Sequence, residues 1–144
     1  MLFQTKPDDF NPSFEVVSCF MEYRDKILLL HRQDTKPQGN TWGVPAGKLN
    51  SKEDKLYGVI REIFQETGFQ PKFQEVNYFN KLFVRYPECD FVYHIFSTKL
   101  NEKIAVKINL EEHKGFIWIS PSKALEIPLI MDLDECIKLF YGSR

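Results

Sequence analysis

Hydrophobic residues along this chain switch between two spacings, and the switch divides it into strands and helices. Residues 14–23 and 26–32 are rich in β-formers and are separated only by the polar pair Arg24 and Asp25, which predicts two strands joined as a hairpin. Residues 33–40 contain Pro37 and Gly39 and read as a loop, and residues 41–47 run as a short extended piece into a glycine-containing turn. Over residues 52–67 the period changes: Leu56, Val59, Ile60, Ile63 and Phe64 follow the i, i+3, i+4, i+7, i+8 spacing of one buried helical face. Ser51 is placed to cap that helix with its hydroxyl, Glu53 and Asp54 fall in its first turn, and Gly68 sits where a left-handed C-cap puts glycine.

Beyond the helix, residues 73–86 and 91–100 predict two strands with a turn around 87–90. Residues 104–108 predict a short strand and residues 115–120 another. Pro121 opens a helical turn through Ala124, and residues 133–141 predict a terminal helix. The first dozen residues read as an irregular lead-in. Strands on both sides of one central helix, with a helix at the end, point to an α/β layer arrangement. Repeats, low-complexity tracts and linkers are absent, so the 144 residues are expected to form one domain, 1–144.

Composition narrows the function. With 19 basic against 20 acidic residues the chain lacks the clustered positive excess of a nucleic-acid binder, so no nucleic-acid partner is expected. Apolar runs are far too short to span a bilayer, and the N-terminus lacks the basic start and apolar stretch of a secretory signal. Cys19, Cys89 and Cys136 are far apart and lack metal-ligand spacing, which predicts reduced thiols and a cytoplasmic location. Monomer and homodimer both stay open.

Chemistry concentrates on the central helix. Glu62 and Glu66, four residues apart, share one face beside the apolar stripe. Two carboxylates at the rim of a buried face suit a hard divalent cation, which takes one or two carboxylates and keeps several waters. Gln65 adds a neutral oxygen, and Gly58 leaves room for a ligand to approach although glycine costs a helix interior about 1 kcal/mol. A Glu pair at this spacing also describes an ordinary solvated helix face, and Arg61 an ordinary surface charge.

The longer pattern decides between these. Gly47, Glu53, Arg61, Glu62, Ile63, Glu66, Gly68 and Phe69 resemble the Nudix box, Gly-x5-Glu-x7-Arg-Glu-U-x-Glu-Glu-x-Gly-U with U a bulky aliphatic, with both internal spacings matched. The approach Trp42-Gly-Val-Pro-Ala-Gly47 resembles the family's too. Gln65 replaces the first glutamate of the family's Glu-Glu pair, and Phe69 the final aliphatic residue. The resemblance implies the Nudix fold, a mixed β-sheet sandwiched between α-helices. It also implies Mg2+-dependent (or Mn2+-dependent) hydrolysis of a diphosphate linkage by a water that attacks phosphorus. On that reading Glu62 and Glu66 are the principal metal ligands and Gln65 a third whose lost charge puts metal number in question. Gly47 lets the loop approach the metal, and Arg61 orients the carboxylates.

Outside the box, Glu111-Glu112-His113 resembles the Glu-His that precedes a late Trp strand in this family, which implicates Glu112 as a further ligand or base. His113 reads as structural. Arg32, ending the second strand, is a candidate phosphate contact. Tyr86 lies seventeen residues after Phe69, in the window where members acting on diadenosine polyphosphates carry a tyrosine. The expected partner is a small nucleotide, a nucleoside triphosphate or a dinucleoside polyphosphate. The alternative is a Nudix-fold module that binds a nucleotide with little or no turnover.

Overall fold

The computed structural model describes residues 1–142. In chain order it contains β1 (Leu2–Phe3), β2 (Pro12–Tyr23), β3 (Lys26–Arg32), β4 (Trp42–Gly43), β5 (Ala46–Lys48), α1 (Lys55–Thr67), β6 (Asn77–Arg85), β7 (Asp90–Leu100), β8 (His113–Ile119), α2 (Pro121–Ala124) and α3 (Leu133–Tyr141), with one 3-10 turn at Phe73–Glu75. Among the described residues no helix is long and apolar enough to cross a membrane.

All eight strands join one mixed sheet in the order β1-β6-β7-β2-β3-β4, with β5 also on β2 and β8 also on β3. The expected hairpin forms, with Arg24 at φ 55 in its turn, but it is a fork rather than a ladder. β2 faces β3 only through Glu22–Ile27 and Tyr23–Lys26. Farther back, Val16, Val17 and Ser18 pair with β5 instead, while β3 pairs with β8 from Ile27 to Arg32 and with β4. The other edge of β2 pairs in parallel with β7 along its whole length.

This arrangement follows from the side chains. Ile27, Leu28, Leu29 and Leu30 are all buried, so β3 needs cover on both faces, as near-continuous apolar strands do. On one face Val17, Cys19, Met21, Leu28 and Leu30 meet Val59, Ile60 and Ile63 of α1. On the other Phe20, Ile27, Leu29 and Ile95 meet Leu133, Ile137 and Phe140 of α3. Each such aliphatic or aromatic side chain contributes about 1.5–3 kcal/mol on burial, which fixes the two helices on opposite faces. The α/β class, the mixed sheet between helices and the terminal helix agree with the sequence reading.

Several local expectations are corrected. The central helix begins at Lys55, capped by Asp54, whose side chain accepts from the Leu56 amide. Ser51 lies in the turn before it, and Lys52 at φ 63 cannot be helical there. Phe64 is 51 % exposed, and the buried stripe instead continues through Glu66 and Thr67. Gly58 makes room for the box's own loop, not a ligand: a Cβ there would fall 2.3 Å from Leu49 Cδ2 and 3.1 Å from Glu53 Oε1. The strand expected at 73–86 starts with the 3-10 turn, and residues 104–108 form no strand. That segment is tied to α1 by the Lys107 amide donating to the Thr67 carbonyl. The lead-in is irregular apart from β1, where Leu2 and Phe3 pair with Val84 and Phe83 of β6.

Candidate active site

The fork in β2 and β3 lets one side chain of α1 reach the opposite face of the sheet. α1 packs on one side, yet its Glu66 lines a cavity of about 610 Å³ on the α3 side, with Val16, Tyr93 and Leu133 among the walls. Glu66 is 6 % exposed. Its Oε1 accepts the Ala46 amide of β5 at 2.8 Å, which holds the carboxylate at the head of the fork. Burial pushes its carboxyl well above the usual carboxylate range, and the nearby charges of Glu62 and Glu112 add to that, against the Ala46 hydrogen bond and Arg32. A buried carboxylate among other carboxylates needs a cation to stabilise its charged form.

Arg61 organises the next layer. Its Nε donates to Glu53 Oε2 and one Nη to Glu53 Oε1, both at 2.8 Å. The other Nη donates to Glu62 Oε1 at 2.7 Å and Gln65 Oε1 at 3.1 Å. The Lys48 carbonyl accepts a further bond at 3.1 Å. The planar fork of a guanidinium suits such a bidentate grip. Hydrogen bonding to Arg61 holds the Glu53 carboxyl below its ordinary range, whereas burial raises that of Glu62 despite the same arginine. Gly47 passes against Glu62: a Cβ on it would stand 2.2 Å from the carboxyl carbon.

Arg61 was expected to orient the carboxylates, and in the structure it bonds Glu53, Glu62 and Gln65. The sequence reading missed Glu53 as the residue that anchors Arg61, although the box spacing contained the signal. The Gln65 oxygen is engaged by Arg61, on the exposed side of the helix.

A turn before β8 supplies the opposing groups. The Asn109 carbonyl accepts the amides of Glu112 and His113, its side chain accepts that of Glu111, and the Gln33 amide donates to the Glu112 carbonyl. The turn thereby carries Glu112 and His113 toward Glu66, and ligand atoms of these three residues all lie within 4.8 Å of one another. Glu112 is exposed while His113 is 4 % exposed. Burial lowers the His113 pKa below the ordinary imidazole value.

Arg32 also lines the cavity; its Nε donates to the Pro37 carbonyl at 2.8 Å. Tyr86 forms part of the wall, its hydroxyl donating to the Met131 carbonyl at 3.3 Å and its ring edge-on to Phe91. Gln38 and Asp132, which the sequence reading did not single out, line the same cavity. Gln38 Oε1 accepts the Met131 amide across 93 positions of sequence, a contact that no local pattern announces.

The residues fit a divalent cation. Carboxylates from α1 and the turn before β8 converge, Glu66 has no cationic side chain in hydrogen-bond contact among the described residues, and oxygen ligands suit Mg2+ and Mn2+.

Comparison with known proteins agrees with this architecture. Residues 12–140 match the family model described as NUDIX domain. The chain is 26% identical over 115 residues to the CTP pyrophosphohydrolase of Escherichia coli strain K12, covering 80% of this chain and 82% of that protein. It is 32% identical over 79 residues to an RNA pyrophosphohydrolase of Actinobacillus succinogenes, covering 55% of this chain but 37% of the relative's length. The crystal structure of a MutT protein from Methanosarcina mazei Go1 superposes with a TM-score of 0.78 at 23% identity, covering 92% of this chain and 96% of that one.

Proposed function

The chain belongs to the Nudix family, hydrolases of pyrophosphate bonds, and from that premise we propose that it is one domain that hydrolyses a nucleoside triphosphate with the help of Mg2+ or Mn2+. The observation that carries this reading is the convergence of buried Glu66 with Glu112 beside a largely apolar cavity of about 610 Å³, within the range of small-molecule sites. The similarity to a CTP pyrophosphohydrolase over four-fifths of both chains supports a triphosphate over a dinucleoside polyphosphate.

Glu62, Glu66 and Glu112 would hold the ion. When bound, a divalent cation there offsets phosphate charge and lowers the pKa of its water. Arg61, braced by Glu53, fixes the Glu62 carboxylate, and the bare Gly47 backbone lets the β5 turn close over it. Arg32 offers positive charge to the phosphates from the cavity rim, while the apolar walls take the base and shed its water. Tyr86 forms part of that wall.

Turnover across nucleoside triphosphates, ADP-ribose, nucleotide sugars and diadenosine polyphosphates, with Mg2+, Mn2+ or chelator, tests the proposal. Metal-dependent cleavage of a triphosphate that drops by orders of magnitude in Glu66→Gln, with the fold retained, is the expected result. Unchanged turnover in that variant, or silence across the panel from folded protein, overturns it.

A further inference from the structure

His113 opens β8 at an irregularity, for the pairing with β3 shifts register between His31 and Arg32, and it is Arg32 that pairs with His113. Such bulges re-aim a side chain. Here the ring enters the cavity that Glu66 lines, and its Nδ1 is buried with no hydrogen-bond partner among the described residues. Buried polar atoms are almost always bonded, and an exception calls for a partner such as a bound ion or water. The imidazole stands within 4.8 Å of carboxylate oxygens of Glu66 and Glu112.

We infer that His113 is a nitrogen ligand of the ion held by Glu66 and Glu112, which gives the site a mixed nitrogen–oxygen set that prefers a transition-series dication such as Mn2+ over Mg2+. The inference rests on the proposed reading that these two glutamates hold a dication. Magnesium is bound by oxygen and keeps its waters, whereas imidazole is a better ligand for transition-series dications, of which Mn2+ binds it least strongly. Neither other histidine offers its ring to the cluster: His31 stacks on Trp42 with its Nε2 on the Asn40 carbonyl, and His94 lies between Glu15 and Tyr78.

The test is pulsed electron paramagnetic resonance on the whole chain loaded with Mn2+ alone, without nucleotide, using natural-abundance and imidazole-15N-histidine protein. Modulation from a directly bound nitrogen that changes on 15N substitution is the expected result, and it needs no substitution in the protein. His113→Gln should then abolish the modulation. Its Mn2+ affinity should fall by at least the roughly 10- to 100-fold that follows loss of a ligand's hydrogen-bond partner, with Mg2+ affinity little changed. Mn2+ bound without nitrogen modulation overturns the assignment of His113 and leaves the proposed hydrolysis standing. No Mn2+ bound by the folded wild type overturns both.

Discussion

Gly47 and Glu62 occupy adjoining space: a methyl group added to the first would fall 2.2 Å from the carboxyl carbon of the second and 2.3 Å from its Oε2. Gly47 does not need glycine for its backbone, which is an ordinary strand pairing with Val17. It needs it for the carboxylate alone. Gly47→Ala should therefore fold normally and displace Glu62. Turnover and metal affinity should fall about 10- to 100-fold, the range for disturbing a ligand's support. Steady-state kinetics and calorimetric metal titration check this, and wild-type values for both would refute it.

Arg61 makes five hydrogen bonds to four residues. Lysine keeps the charge but cannot hold both oxygens of Glu53 while reaching Glu62. Arg61→Lys should lower kcat by about 10- to 100-fold with the melting temperature nearly unchanged. An equal loss from Arg61→Lys and Arg61→Ala would support geometry as the cause; full activity in the lysine variant would show that charge alone suffices.

How much of this was legible in the sequence depends on how local each signal is. The terminal helix, 133–141, and the αL cap at Gly68 were read correctly because their periodicity and glycine are local. The helix start was misplaced because Ser51 and Asp54 are both good caps, and only the positive φ of Lys52 separates them. Phe64 fitted the apolar stripe by spacing, yet Glu66 and Thr67 take the buried place because the fork draws Glu66 inward. The parallel pairing of β2 with β7 joins residues about eighty positions apart and leaves no local trace. His113 was read as structural, and its nearness to Glu66 of α1 is a contact that sequence spacing does not show.

Arg85 grips Asp90 through Nε at 2.8 Å and an Nη at 3.0 Å, and the Asn11 amide adds a third bond. These hold the Asp90 carboxyl down from 3.8 to about 2 in the folded chain. Because the folded value is depressed, the stabilisation is complete above the unfolded value and disappears as pH falls from about 4 through about 2. Urea midpoints of wild type and Asp90→Asn should differ by a constant amount near neutral pH and converge below about pH 4. A gap independent of pH would remove the ionised pair as its cause.

The three cysteines should separate by reactivity. Cys19 and Cys136 are buried, and burial pushes the Cys136 thiol up to about 12 and that of Cys19 higher still. Cys89 is partly exposed and lines the cavity. An aromatic disulfide reagent should titrate one thiol quickly in native protein and all three after denaturation. Rapid reaction of a second thiol in the native state would show an opening of the core.

The forked strand pair has an evolutionary consequence. Among the described residues Glu66 is the only one of α1 that lines the cavity; the rest of its walls come from strands, from the loop after β3, from the turn between β6 and β7, and from the start of α3 and the segment entering it. On the proposed reading, the walls that would take the base and the helix that would supply Glu62 and Glu66 to the ion belong to separate stretches of chain. If the cavity takes the base, substitutions at Gln38, Tyr86 or Asp132 would alter its walls while the helix that bears Glu62 and Glu66 keeps its sequence. A lineage built on this fork can diversify its diet without reinventing its scissors.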